Sequence, residues 1–134
     1  MLKIVLFSDS KRVYEITKKI VEGKYALTWC TYSLLKDNKY PLSNIVIMHY
    51  DGKMLEKDIC ESIIKVKGRL GHNLPVLALI EGGSPQDIFI ALEAGAYDYL
   101  EDVENIQEYK KKIEDMVSWD WYMNKYGPGV RRQQ

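Results

Sequence analysis

The sequence has no excess of charge of either sign, few cysteines and no apolar run long enough to cross a bilayer. Its 134 residues carry 19 basic and 19 acidic side chains, so neither a nucleic-acid-binding protein nor an acidic tail is indicated. Its longest apolar runs fall far short of the roughly 20 residues of a transmembrane helix. Met1-Leu2-Lys3 leads into a strand pattern and not into a signal peptide. We therefore expect a cytoplasmic protein without membrane or direct nucleic-acid contacts.

Sequence motifs for metal, redox or nucleotide chemistry are also missing. Cys30 and Cys60 lack metal-binding or redox spacing and lie in apolar patterns, which predicts buried free thiols. Walker and dinucleotide motifs are absent. The turn Glu81-Gly82-Gly83-Ser84 precedes a helix start, where an anion could bind, but Glu81 and Asp87 flank it with negative charge. We interpret it as a turn.

Strand and helix patterns alternate five times along the chain. Apolar or β-branched runs predict strands at 3–7, 25–31, 44–48, 74–80 and 96–100. The intervening helices include one with Leu55, Ile59, Ile63 and Val66 on one face that ends near Gly68, and one that begins at Ser84-Pro85 and ends at Gly95. The pattern predicts an α/β (βα)5 flavodoxin-like sandwich, with helices on both faces of a five-stranded parallel sheet.

The chain is long enough for one ordinary domain with a substantial core. We place that domain at residues 1–126. The remaining residues, 127–134, begin with Gly127-Pro128-Gly129 and are interpreted as a flexible tail, an interdomain linker or a vector-derived remnant.

A resemblance to a known family rests on Leu74 to Asp102, LPVLALIEGGSPQDIFIALEAGAYDYLED. This stretch resembles the last third of a response-regulator receiver domain of the CheY-like family, and Gly95 to Leu100 closely matches that family's Gly-Ala-Asp-Asp-Tyr-Leu run. The resemblance extends over residues 3 to about 118 and is weaker in the middle of the chain. It implies the CheY-like fold and a role in two-component signal transduction or a phosphorelay.

Receiver domains use five groups around a phosphoryl site, and the resemblance carries each of them onto a position of this chain. The two acidic residues that hold Mg²⁺ fall on Ser8 and Asp9. The phosphoacceptor aspartate falls on His49, the threonine or serine on Ile80, and the lysine on Asp102. Only Asp9 is kept, so the chain resembles an atypical receiver without the phosphorylation residues.

These replacements predict a pseudo-receiver that is not an enzyme and needs no cofactor or metal. A carboxylate at the lysine position repels a phosphoryl group, and the metal loses one carboxylate ligand. The alternative is a rebuilt phosphoacceptor that uses Asp51, with Mg²⁺ bound at Asp9. Two interpretations of His49 also stay open: a hydrogen-bonded structural residue, or a phosphoacceptor or metal ligand, although a zinc ligand set is missing.

Without phosphoryl chemistry, we expect function in protein contacts. Tyr99 matches the aromatic switch position of the family. The interface candidates lie on the fourth helix, the fifth strand and the last helix: Ile88, Phe89, Tyr97, Trp119, Trp121 and Tyr122. Aromatic side chains of this kind favour interfaces. We expect a protein partner or a homodimer through the last helix and the fifth strand, while packing of these rings on their own domain stays open.

Overall fold

Five strands alternate with five helices along residues 1–127, the part of the chain that the computed structural model describes. The strands are β1 (Lys3–Phe7), β2 (Ala26–Cys30), β3 (Ile45–Tyr50), β4 (Val76–Ile80) and β5 (Asp98–Leu100). The helices are α1 (Lys11–Val21), α2 (Tyr32–Lys36), α3 (Glu56–Leu70), α4 (Pro85–Ala94) and α5 (Ile106–Tyr126). All neighbouring strands are parallel, in the order β2-β1-β3-β4-β5. The predicted fold is confirmed; most of the predicted tail lies outside the described residues.

Two apolar layers cover the sheet, one on each face. Leu6, Ile47 and Leu79 belong to the layer beneath α1 and α5, whereas Phe7 and Met48 belong to the layer beneath α2, α3 and α4. Because successive side chains of a strand point to opposite faces, a strand buried on both faces is apolar at nearly every position. The same alternation decides which polar residues meet where the strands end.

The ends of α4 agree with the sequence prediction. The Ser84 hydroxyl accepts a hydrogen bond from the Asp87 backbone N–H, and the Asp87 carboxylate accepts one from the Ser84 N–H at 2.8 Å. Pro85 occupies the first turn, and Gly95 ends the helix at a φ of 114°, a conformation that favours glycine. This reciprocal capping is a strong local signal, which explains why the helix was predictable.

Several predicted details are wrong. Strand β3 continues beyond the predicted end to Tyr50, because its backbone pairs with β4 as far as Ile80. Helix α3 passes through Gly68, since one glycine costs a packed helix only about 1 kcal/mol, and Gly71 ends it. Leu55 precedes α3 and its side chain is 67% exposed. Cys60 is only half-buried.

Helix α5 is the longest element, with 21 residues. Its first half packs on the sheet through Tyr109, Ile113 and Met116, which are fully or almost fully buried. Its last two turns have no buried residue. Within residues 1–127, no helix combines the length and apolar composition needed to cross a bilayer.

Candidate functional site

Three polar side chains meet at the edge of the sheet where the parallel strands end. Ser8 follows β1, His49 lies near the end of β3 and Glu81 follows β4. Each continues the row of side chains that faces α1 and α5, so strand alternation brings them together. The His49 Nδ1 atom lies 2.9 Å from Ser8 Oγ, and its Nε2 atom lies 2.8 Å from Glu81 Oε1.

One proton arrangement satisfies every group in this chain of contacts. A Glu81 carboxylate only accepts hydrogen bonds, so His49 Nε2 carries a proton and donates. The Ser8 hydroxyl then donates to Nδ1, while its oxygen accepts from the Ser10 backbone N–H at 3.0 Å. The competing acceptor for Ser8, the Ser10 carbonyl, is 3.5 Å away, which is long for a hydroxyl donor. A neutral imidazole is therefore fully satisfied here.

Arg12 of α1 completes this group, which we name the strand-end network: Ser8, Arg12, His49 and Glu81. Its Nη2 atom lies 2.6 Å from Glu81 Oε1 and its Nη1 atom 3.7 Å from Glu104 Oε2. Burial raises the pKa of Glu81, but hydrogen bonds from Arg12 and His49, together with the charge of Arg12, outweigh burial and hold that pKa below its ordinary value. The hydrogen bond to Glu81 raises the pKa of Arg12 in turn. One oxygen of the Glu81 carboxylate, Oε1, is thus shared by two internal partners.

The serine, histidine and glutamate of this network are the residue types of a hydrolytic triad, but the geometry does not form a nucleophile. Ser8 is fully buried, with 0% of its surface exposed. Its hydroxyl is enclosed by His49 and the Ser10 backbone, so no face is open to a substrate carbonyl. The arrangement links three strand ends and leaves no reactive group free.

The other acidic residues predicted at this edge turn to nearby backbone groups. Asp9 Oδ1 accepts a hydrogen bond from the Tyr32 N–H at 3.2 Å, at the start of α2. Asp51 Oδ1 accepts from the Lys53 N–H at 2.9 Å, and Asp102 Oδ1 accepts from the backbone two residues on at 3.0 Å. The last two contacts are typical of aspartates in turns, whereas Asp9 binds a residue 23 positions away; all three aspartates are exposed.

Ile80, at the position of the family's threonine, faces away from the network. It is 2% exposed and packs in the apolar layer beneath α2, α3 and α4. The next residue, Glu81, reaches His49 instead. Neither the role of Glu81, interpreted from the sequence as part of a turn, nor that of Arg12 in the first turn of α1 was predicted.

The carboxylates fit a magnesium site poorly. Within residues 1–127, no three histidine, cysteine, aspartate or glutamate side chains converge as a metal-binding group, and Ser8, beside Asp9, offers a buried hydroxyl and no carboxylate. Asp9 and Asp51, however, both lie close enough to Tyr32 to affect its pKa. Burial and Tyr50 raise the pKa of Tyr32 well above its ordinary value, and the charges of Asp9 and Asp51 add to that rise.

Tyr99, predicted from the resemblance to be the switch residue, is half-buried against the layer beneath α4. Lys112 of α5 lies 5.3 Å above its ring and forms an ion pair with Asp98 at 3.0 Å. A cation over an aromatic face is attracted by the ring. These contacts attach β5 to α5 on the side where the interface candidates lie.

The interface candidates divide into packed and exposed residues. Ile88 packs against the core of its own domain, and Trp119 lies against Tyr97 with ring centroids 5.6 Å apart. By contrast, Phe89 is 55% exposed and Trp121 58% exposed; Tyr122 is similarly exposed. Self-packing and an open aromatic surface therefore coexist on this face.

Comparison with known proteins gives matches among solved structures alone. No protein-family model matches this chain, and no curated protein does. A response regulator from Thermotoga maritima superposes with a TM-score of 0.73 at 14% identity, covering 88% of this chain and 98% of that one. The receiver domain of the sensor histidine kinase PA1611 from Pseudomonas aeruginosa PAO1, with magnesium in its active-site cleft, gives 0.68 at 16% identity, covering 87% and 98%.

A third similar structure is described as the pilus assembly protein CpaE2 of Sinorhizobium meliloti 1021. It superposes with a TM-score of 0.69 at 15% identity, covering 86% of this chain and 99% of that one. Identities this low establish the fold alone. The chain has the five-stranded, parallel receiver-domain fold of response regulators.

Proposed function

We propose that this chain is a pseudo-receiver, a cytoplasmic, non-enzymatic signalling module that acts through protein contacts without aspartyl phosphorylation. The main observation behind the proposal is the hydrogen bonding of His49, the residue that the resemblance assigns to the phosphoacceptor position. Both of its ring nitrogens are engaged, one by Ser8 and the other by Glu81. Its side chain has only 7% of its surface exposed. The proposal is supported because internal hydrogen bonds engage the residue that the resemblance assigns to the phosphoacceptor position.

The charges around this edge also oppose a phosphoryl group. Phosphoryl transfer needs cations on the developing negative charge. Here the lysine position holds Asp102, and Asp9 and Asp51 add exposed carboxylates. The nearest cation of the network, Arg12, is already paired with Glu81. The electrostatic balance thus favours a site that neither attracts nor retains phosphate.

Protein contact is the function that the remaining surface supports. Phe89 of α4 and Trp121 and Tyr122 of α5 present large exposed aromatic side chains, and residues of this type dominate binding energy at interfaces. We propose a protein partner or a second copy of the chain as the binding partner, through α5 and β5. The similarity to CpaE2 is compatible with a role of this fold in assembly as well as in two-component signalling.

A rebuilt phosphoacceptor is the second candidate, because one observation favours it. Asp9 and Asp51 both act on the hydroxyl of Tyr32, so the two carboxylates lie near one another at the strand edge. In this candidate, Asp51 accepts the phosphoryl group and Asp9 holds Mg²⁺. Its weakness is that Asp51 follows the strand and accepts a backbone hydrogen bond from Lys53.

Acetyl phosphate with Mg²⁺ separates the two candidates. The full chain is incubated with this donor and analysed by intact mass, with Asp51→Asn and Asp9→Asn variants alongside. We expect no adduct on any of the three proteins. A stoichiometric, hydrolytically labile phosphoryl adduct that disappears in Asp51→Asn contradicts the pseudo-receiver and establishes the second candidate.

A further inference from the structure

A polar cavity opens at the end of the sheet opposite the strand-end network. It is bounded by the residues that precede β3 and β4, by the end of α3 and by the last turns of α5, and its volume is about 380 Å³. Volumes of roughly 300–1,000 Å³ are usual for small-molecule sites. Its polar walls are formed by Ser43, Asn44, His72, Asn73, Asp120 and Asn124.

Asp120 is the only acidic side chain among the residues that line this cavity. None of the ion pairs within residues 1–127 includes it. Burial raises the pKa of Asp120, and a side-chain hydrogen bond with Asn124 offsets part of that rise. A half-buried carboxylate without a cation is under-compensated, because burial removes water that would stabilise its charge.

The other walls of the cavity supply acceptors and a short apolar stretch. His72 and Asn73 are exposed residues of this lining, and their side chains can accept hydrogen bonds. Leu74 and Met123 add apolar surface to the same cavity. A ligand with donors at one end and a short hydrocarbon part matches these walls.

We propose that this cavity binds a small organic cation with a primary ammonium group, held by the Asp120 carboxylate and by the amide oxygens of Asn73 and Asn124. An ammonium group offers three donors and one positive charge. It therefore satisfies the carboxylate and the neighbouring amides together, and its alkyl part lies against Met123. This site is separate from the strand-end network and does not depend on the pseudo-receiver proposal.

The experiment is an amide NMR titration of the full chain with n-butylammonium chloride at mildly alkaline pH. 1-Butanol serves as the uncharged ligand of the same length. We expect saturable shifts concentrated at Asn73, Asp120 and Asn124, and binding of 1-butanol weaker by about tenfold or more, as for loss of a charge-assisted hydrogen bond.

Two variants and one control complete the test. Asp120→Asn removes the charge at nearly constant shape and should weaken n-butylammonium binding about tenfold. Asn73→Ala, in the loop before β4, should weaken it roughly threefold. Asp115→Asn, an exposed carboxylate on α5 outside the cavity lining, should leave binding unchanged. Shifts spread over the whole surface, equal affinity for 1-butanol, or unchanged affinity in Asp120→Asn would each overturn the proposal.

Discussion

The two ends of the sheet treat their polar side chains in opposite ways. At the carboxyl ends of the strands, Ser8, His49 and Glu81 satisfy one another, and Arg12 pairs with the remaining charge. At the amino ends, Asp120 lines an open cavity and forms no ion pair within residues 1–127. In parallel sheets of this kind, ligands usually bind at the carboxyl ends. Here the strand-end network is satisfied internally, so we expect its residues to contribute to stability.

The largest effect should come from breaking the network at its centre. His49→Ala removes the partner of the buried Ser8 hydroxyl and leaves Glu81 with Arg12 alone. We expect a loss of about 2–4 kcal/mol in the free energy of unfolding, because two hydrogen bonds and a buried contact disappear. Urea denaturation measures it.

The matched control is His72→Ala, an exposed histidine at the opposite end of the sheet. Its effect should stay within about 0.5 kcal/mol. If both substitutions change the free energy of unfolding equally little, the strand-end network does not stabilise the fold and the comparison between the two ends fails.

A smaller effect is expected from neutralising Glu81. Glu81→Gln keeps the shape but weakens the hydrogen bonds with His49 and Arg12, which should cost about 1–2 kcal/mol for a side chain that is partly exposed. Glu104→Gln is the control, since Glu104 is mostly exposed and 3.7 Å from Arg12. Its cost should lie below about 0.5 kcal/mol. Equal losses in the two variants would mean that the position of Glu81 carries no special stabilisation.

Acid should remove the contribution of Glu81 without mutation. The folded protein holds its pKa below the ordinary value of 4.5, so the stabilisation is complete above that value. It is lost as the pH falls through the lower, folded-state pKa. We expect the difference in urea midpoint between the unmodified protein and Glu81→Gln to decrease as the pH falls below the ordinary pKa of 4.5. A difference that stays constant with pH would contradict the assignment.

The smallest stability effect is expected on the exposed aromatic face. Trp121→Ala should change the free energy of unfolding by less than about 0.5 kcal/mol, because the ring is mostly exposed. It should nevertheless weaken self-association in sedimentation velocity if the partner is a second copy. Trp119→Ala, which removes a ring packed on Tyr97, should cost about 1–2 kcal/mol. If both variants have a lower free energy of unfolding but unchanged sedimentation, the two rings pack on their own domain and do not form an interface.

The sequence predicted the fold better than the site, for physical reasons. The N-cap of α4 at Ser84 and its C-terminal glycine at Gly95 act over only a few residues, so they can be recognised in the sequence. The contacts of His49 join positions 41 and 32 residues apart, so only the strand register could bring them together. The ion pair of Arg12 with Glu81 was not predicted, because nothing in the sequence of an amphipathic helix indicates which distant residue an exposed arginine will contact. The end of α3 was misplaced because packing outweighed the propensity of Gly68.

The most direct test of the account is an amide NMR titration of the full chain, first with Mg²⁺ and then with beryllofluoride, which mimics an acyl phosphate. We predict no saturable shift at Asp9, Asp51 or Glu81 at either step, because the strand-end network occupies the site and carboxylates surround it. Saturable shifts centred on these three residues would contradict it and show a working acceptor site.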